Sequence, residues 1–288
     1  MQDFQTIEWL DMRLAAPADW EIVRHSVKPA KGRLVLVDRR HQRLQLSWAA
    51  VASAPDLGQT VKDYRARGQK ESPESRFEDF RGPGRWVGLR QINPTSARTL
   101  AGLYERAQGR WVEMVIHWPR SVERDVEQQI LRRFELADRR AWTARWRAFQ
   151  IDVELPRDWS IAKADVKPAD ARLEFASGRN RAEVRRTGMP DAWFDGNLEN
   201  VVRLRLGTAP CQASARTCNG HPALLADSRD RAAWLRSVLT GNRRRRELVW
   251  LCPGSHAVFE VTTHAGPRAA VEPDQFRVRC CPAGGAAR

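Results

Sequence analysis

Alternation of apolar and polar residues dominates this 288-residue chain. A period of two places apolar side chains on one face of a β-strand, so each alternating segment predicts a strand. The segments are 12–17, 33–38, 43–51, 85–92, 99–107 and 110–119 in the first half, and 151–156, 172–177, 182–189, 221–227, 246–253 and 256–265 in the second.

Helical spacing of apolar residues appears at fewer places. It predicts helices over 56–68 and 195–207, with Asp56 and Asp195 as N-caps and glycines at the carboxyl ends. A third helix is predicted over 121–137, and residues 271–281 form only a shortened counterpart of it. Each half of the chain therefore has the same predicted order of strands and helices.

An internal repeat accounts for this similarity. An offset of 139 residues places Pro17 on Pro156 and Trp20 on Trp159, and it places 27–30 (VKPA) on the identical 166–169. So many ungapped identities predict a tandem duplication. We expect a first domain over 1–138, a linker over 139–147 and a second domain over 148–288.

The repeated motif is an apolar strand followed by Pro-x-Asp-Trp, at 17–20 and 156–159. A late Trp-containing hairpin and a closing segment that ends near Phe134 or Phe276 follow it. This arrangement resembles the PsbP-like and DcrB-like family of α/β/α sandwich domains. The resemblance implies an α+β fold, in which each of two tandem domains is a mainly antiparallel sheet flanked by helices. Trp20 and Trp159 are then expected in the cores.

The family includes photosystem accessory subunits, a Ran-binding nuclear transport factor and chaperones of type VI secretion effectors. Most of its members are not enzymes, so the resemblance implies a binding role for this chain by analogy. A groove lined by convergent polar side chains would count against that role.

Charge narrows the class of partner. The chain has 49 basic and 35 acidic residues, a net charge of +14, which favours nucleic acid, an anionic lipid surface or an acidic protein as partner. Its hydrophobic fraction of 42% is sufficient for folded cores. No apolar stretch approaches a membrane span, and the first residues do not have the pattern of an export signal, which predicts a cytoplasmic protein.

All five cysteines lie in the second half, and they predict a zinc site. Cys211 and Cys218 belong to a predicted loop that also contains His221, Cys252 lies at a predicted hairpin tip, and Cys280 and Cys281 end the last element. A structural zinc needs four thiolate or imidazole ligands. The favoured set is Cys211, Cys218, Cys252 and one of Cys280 or Cys281, with His221 as a substitute.

Three alternatives to zinc stay open at this point. The cysteines are buried free thiols, or they form disulfides such as Cys211–Cys218 in an oxidising compartment. In the third alternative Cys252 is a catalytic nucleophile paired with His256 or His264, as in a hydrolase.

A run of four arginines precedes one predicted strand: Arg243, Arg244, Arg245 and Arg246. It is either a solvated face or a binding site for phosphate or an acidic protein. No catalytic motif accompanies it.

The sequence as a whole predicts a non-enzymatic binding protein that acts as an adaptor, a chaperone or an assembly subunit. It would be a monomer that imitates a dimer through its two domains, with another protein as partner. A nucleic-acid-associated subunit is the alternative.

Overall fold

The computed structural model describes residues 3–137, 141–207, 211–229, 244–265 and 271–281. The chain divides into two compact units, Met1–Ala137 and Asp138–Arg288. Twenty β-strands and three α-helices lie in the described residues. No helix in this part of the chain is long and apolar enough to cross a membrane.

The first unit contains one large and one small antiparallel sheet. The large sheet has the order β3-β4-β5-β9-β8-β7-β6, and in the small sheet β2 pairs with both β10 and β1. The strands are β1 Phe4–Trp9, β2 Met12–Pro17, β3 Glu21–Arg24, β4 Lys31–Val37, β5 Gln42–Ala50, β6 Arg76–Arg81, β7 Val87–Ile92, β8 Ala97–Glu105, β9 Arg110–Trp118 and β10 Glu135–Leu136.

The second unit has the same strand order in its large sheet, β13-β14-β15-β19-β18-β17-β16. In its small sheet β12 pairs with both β11 and β20. The strands are β11 Thr143–Ala148, β12 Ile151–Pro156, β13 Ser160–Lys167, β14 Asp170–Ser177, β15 Asn180–Gly188, β16 Cys211–Cys218, β17 His221–Arg229, β18 Arg244–Cys252, β19 Ala257–Ala265 and β20 Arg277–Val278.

Helices cover the large sheets only in part. The first unit has α1 (Leu57–Glu71) and α2 (Arg124–Arg132), and the second has α3 (Leu198–Leu206). Successive residues of β7 show that α1 and α2 lie on opposite faces. Arg90 forms an ion pair of 2.6 Å with Glu127 of α2, whereas Gln91 lies beside Gly68 of α1.

In each unit a core lies between the large sheet and the small one, and in the second unit a further apolar cluster packs Val201 and Val202 of α3 against Ala226, Val249 and Val258 of the large sheet. In the first unit the Arg110 guanidinium donates to the Leu10 carbonyl of the β1–β2 turn at 3.0 Å. In the second unit Trp146 of β11 packs edge-on against Phe175 of β14, with ring centroids 5.6 Å apart. Trp20 and Trp159 of the repeated motif are both buried.

The predicted fold class is wrong. The structure is mostly β, with large antiparallel sheets instead of helix-flanked α/β sandwiches. The helix predicted over 121–137 covers only Arg124–Arg132, and 271–281 forms a 3₁₀ turn and the short strand β20. Nine residues of helix span only about 14 Å, so the small sheets cover much of the inner faces instead.

Several segments that were not predicted as strands also form them. Residues 143–147, assigned above to the linker, lie in β11, and the predicted loop around 211–218 is β16. β16 is an edge strand and nearly all of its residues are exposed. An exposed edge strand has no buried face, so no hydrophobic period marks it in the sequence.

One of the two predicted N-cap residues is confirmed and the other is wrong. Asp56 caps α1 by accepting from the Gln59 amide at 3.0 Å, as predicted, but Asn197 and not Asp195 caps α3. Asp195 instead accepts from the Asn197 amide at 2.9 Å.

Asp56→Ala is therefore expected to destabilise the first unit by about 1 kcal/mol, because one amide of the first turn loses its acceptor. Urea denaturation measures the change, and Asp63→Ala, in the body of the same helix, is the control. Equal losses in both variants would contradict a capping role.

Candidate metal centre in the second unit

Four side chains of the second unit converge: His221, Cys252, Cys280 and Cys281. One donor atom from each lies within 4.8 Å of all the others. The strand order explains part of this convergence. Ala223 of β17 pairs with Trp250 of β18, and two residues further along the same ladder His221 and Cys252 lie opposite each other.

The end of the chain reaches the same place through backbone contacts. Val278 of β20 pairs with Val153 of β12, and the Arg279 amide donates to the Asp152 carbonyl at 2.8 Å. Asn219, in the β16–β17 turn, donates to the Val278 carbonyl at 2.6 Å. These bonds hold Cys280 and Cys281 beside the end of the β17–β18 ladder.

The distances within the cluster are those of a tetrahedral ligand set. The Cys281 sulfur lies 3.5 Å from the Cys252 sulfur, 3.8 Å from the Cys280 sulfur and 3.1 Å from Nε2 of His221. A tetrahedron with metal–sulfur bonds of about 2.3 Å has sulfur–sulfur edges of about 3.8 Å. The four side chains are therefore placed to ligate one ion without a large rearrangement.

The thiols of the cluster differ in acidity. Burial raises the pKa of Cys280 to about 12. Burial also opposes ionisation of Cys252, but hydrogen bonds from Ser255 and Cys281 outweigh it and lower the pKa of that thiol. A cation at the centre would favour the thiolate form of all three.

Two cysteines of the predicted ligand set lie outside the cluster. Cys211 and Cys218 are at opposite ends of β16, and seven residues of strand separate their Cα atoms by about 24 Å. A disulfide between them is excluded by this distance. Cys218 pairs with His221 in the ladder, but only His221 belongs to the cluster.

The predicted ligands Cys252, Cys281 and His221 thus come together, and Cys280 joins them in addition to Cys281. From the sequence, His221 was predicted only as a substitute ligand, and Cys280 and Cys281 were predicted as alternatives to each other. The Cys-Cys pair and the short Cys218-x2-His221 spacing were the available signals.

Of the two histidines predicted as partners of Cys252, His264 lies far from it. His264 pairs with Arg245 at the far end of the β18–β19 ladder, about 24 Å from the Cys252–Ala257 pair. Ser255, Cys280 and Cys281 supply the hydrogen-bonding contacts that act on the Cys252 sulfur.

The arginine run forms ion pairs within its own unit. Arg244 donates to Asp227 at 2.8 Å, Arg245 to Glu247 at 3.2 Å, and Arg246 forms ion pairs with Asp227 and Glu272. Arg243 lies outside the described residues. Each described guanidinium group of the run therefore already contacts a carboxyl group of its own unit.

Comparisons with known proteins leave the family open. No family model matches the chain, and no curated protein matches it. The crystal structure of MucB in complex with MucA(peri) is similar at 12% sequence identity, over 94% of this chain and 89% of that chain, with a TM-score of 0.19. Such a score carries no argument about fold or function.

Proposed function

We propose that this protein is a non-enzymatic binding protein whose second unit is stabilised by a structural zinc ion. His221, Cys252, Cys280 and Cys281 are the proposed ligands. The observation that carries the zinc site is the convergence of four nitrogen and sulfur donors within 4.8 Å.

The donor set favours zinc over other common ions. Three thiolates and one imidazole suit a borderline-soft ion that prefers tetrahedral geometry, whereas calcium and magnesium require oxygen ligands. Four protein ligands also leave no position open for a substrate or a reactive water. A closed site of this kind supports a structural role.

The position of the cluster supports the same role. It joins the β16–β17 hairpin, the end of β18 and the residues after β20, which are distant in sequence. In the first unit α2 packs on the large sheet, and the Trp86 indole donates to the Leu131 carbonyl at 3.1 Å. Zinc would supply comparable cross-links where the second unit has the shorter segment 271–281.

The proposed binding role rests on the internal repeat in the sequence and on the net charge of +14, and not on the family resemblance, because the structure contradicts the fold that the resemblance implies. An adaptor, a chaperone and an assembly subunit all fit these features. The expected partner is an acidic protein or a complex that contains one.

Metal analysis of the purified full chain tests the zinc site. We expect about one zinc per chain, lost in Cys252→Ser and kept in Cys211→Ser, because only Cys252 belongs to the cluster. Wild-type protein purified in zinc-containing buffer with no bound zinc would contradict the site. Affinity purification from the native cell, with identification of the retained proteins, tests the binding role separately.

A further inference from the structure

A groove with both polar and apolar walls crosses the face of the first unit's large sheet beside α1. It consists of three adjoining depressions with volumes of about 270, 390 and 420 Å³. The first two share Gln42, Arg98 and His117, and the first and third share Gln45 and Glu113. The shared walls make one continuous groove.

Strand β9 forms the floor of the groove. Trp111, Glu113, Val115 and His117 project from it on one face, about 6.8 Å apart, so the floor is about 20 Å long. The Trp111 ring covers Gly102 so closely that a Cβ there would lie 2.2 Å from it. An extended peptide has the same side-chain repeat as this floor.

The charges that line the groove are unbalanced. Its acidic residues are already engaged, because Glu71 pairs with Arg98 at 2.8 Å and Glu113 accepts from the Tyr64 hydroxyl. Lys31, Arg33 and Arg67 are exposed and form no ion pair within the described residues. Counting Arg98, four cationic side chains and two carboxylates line the groove, which leaves an excess of two positive charges for an acidic ligand. The Arg67 guanidinium also lies over the Tyr64 ring, 5.2 Å from its centroid.

On the corresponding face of the second unit, three arginines form ion pairs with carboxylates. Arg205 of α3 pairs with Glu260 at 2.6 Å, Arg185 with Asp170 at 2.6 Å, and Arg172 with Glu183 at 2.8 Å. Three residues occupy equivalent register positions in the two sheets: Arg98, Glu113 and His117 in the first, and Arg245, Glu260 and His264 in the second. The two faces share this framework, and among the described residues Arg172, Arg185 and Arg205 of the second have carboxylate partners, whereas Arg33 and Arg67 of the first form no ion pair.

We propose that the groove of the first unit binds an extended acidic segment of a partner protein. The inference deepens the proposed function and rests on its binding role. Carboxylates of the segment would meet Lys31, Arg33 and Arg67, and the amide side chains of Gln42 and Gln45 would bond its backbone. Trp111 would contact an apolar or aliphatic part of the segment.

Two features of the groove favour a peptide over a nucleic acid. Nucleic-acid binding is dominated by many phosphate contacts, and three cations along about 20 Å are few for that purpose. Apart from Trp111 the floor carries no exposed aromatic ring on which bases would stack.

The groove is also polar, as an active site would be, but its histidine is engaged. Burial, together with the nearby Arg98 and Arg43, lowers the pKa of His117. The neutral ring accepts a hydrogen bond from the Gln42 amide at 3.2 Å. The Nε2 lone pair, through which the ring would accept a proton, is therefore occupied by Gln42.

Fluorescence anisotropy with the full chain and a fluorescein-labelled (Glu-Thr)5 peptide tests the proposal. We expect saturable binding that weakens with salt and is at least about tenfold tighter than binding of (Gln-Thr)5. The double variant Arg33→Glu, Arg67→Glu should weaken it about tenfold or more. The control, Arg81→Glu with Arg106→Glu, has the same change in charge on exposed residues outside the groove and should retain binding within about twofold.

Four results would overturn the proposal: no saturable binding of the acidic peptide, equal losses in the two double variants, cleavage of the peptide, or groove-dependent binding of a (dT)20 oligonucleotide in preference to it. Zinc content, measured on the same samples, separates this inference from the metal site. If affinity purification yields a partner whose retention survives the groove variant, the binding role stands and the groove assignment fails.

Discussion

Removal of zinc is expected to unfold the second unit and to leave the first one folded. Metal that binds the folded state at about 1,000 times its Kd contributes about 4 kcal/mol, a large part of the stability of one domain. The first unit contains no cysteine, so it provides an internal reference. Hydrogen exchange with mass spectrometry, before and after chelation, measures the protection of β17 and β18 against that of β8 and β9.

Variants separate loss of metal from a direct effect of the chelator. His221→Ala and Cys252→Ser should reproduce the loss of protection without chelator, and Cys211→Ser should not, because Cys211 is exposed at the other end of β16. Unchanged protection of the second unit in a zinc-free sample would show that zinc, if bound, does not hold this unit together.

Replacement of a buried carboxyl in the second unit is expected to change the pH dependence of its stability. Glu247 of β18 is fully buried, and its Oε1 has no hydrogen-bond partner among the described residues. Arg245 contacts its other oxygen at 3.2 Å, while Glu260 and Glu183 add negative charge nearby. Burial, reinforced by these carboxylates, raises the pKa of Glu247 to about 7.

The direction of the pH dependence follows from the number of protons that the folded and unfolded states bind. Between about pH 4.5 and pH 7 the folded unit keeps a proton on Glu247 that the unfolded chain releases, so stability falls as the pH rises through this range. The rise in the pKa of Glu247 from 4.5 to about 7 corresponds to about 3 kcal/mol. Glu247→Gln should therefore stabilise the second unit by up to that amount at pH 8 and have little effect near pH 4.5.

The first unit again serves as the control. Leu100 of β8 occupies the position that corresponds to Glu247, so β8 should not show this pH dependence. Hydrogen exchange measures the protection of β18 and of β8. It is recorded at pH values from 5 to 8, with exchange times corrected for intrinsic rates. A variant that destabilises the second unit at pH 8 would show that Glu247 is needed in its charged form.

Strands with one buried face were the elements that could be predicted from the sequence. The predicted segments 12–17 and 151–156 coincide with β2 and β12. Alternation is visible in these segments because each side chain either enters the core or faces away from it. β16, which was not predicted, is an exposed edge strand without such alternation, whereas β11 buries Ala144, Trp146 and Ala148 and was missed because most of its segment was assigned to the linker.

The layers that cover the large sheets could not be predicted from the sequence, because helical periodicity does not reveal how far a helix extends over a sheet. Val126, Ile130 and Leu131 are buried as their spacing indicates, yet α2 ends at Arg132. The short strands β1 and β11, which were not predicted, belong to the small sheets that cover the large ones. Pairing between strands depends on partners distant in the chain, which local patterns do not specify.

The sequence by itself determined the order of six strands in each half, the burial of Trp20 and Trp159, and the restriction of all thiols to the second half. Only the tertiary structure decided which thiols meet. Strand pairing separates Cys211 from Cys218 by the length of β16, and the contacts of β20 bring Cys280 and Cys281 to Cys252 and His221. Metal ligation depends on distances of a few ångströms between atoms, and residue spacing along a chain does not set those distances until the strands have paired.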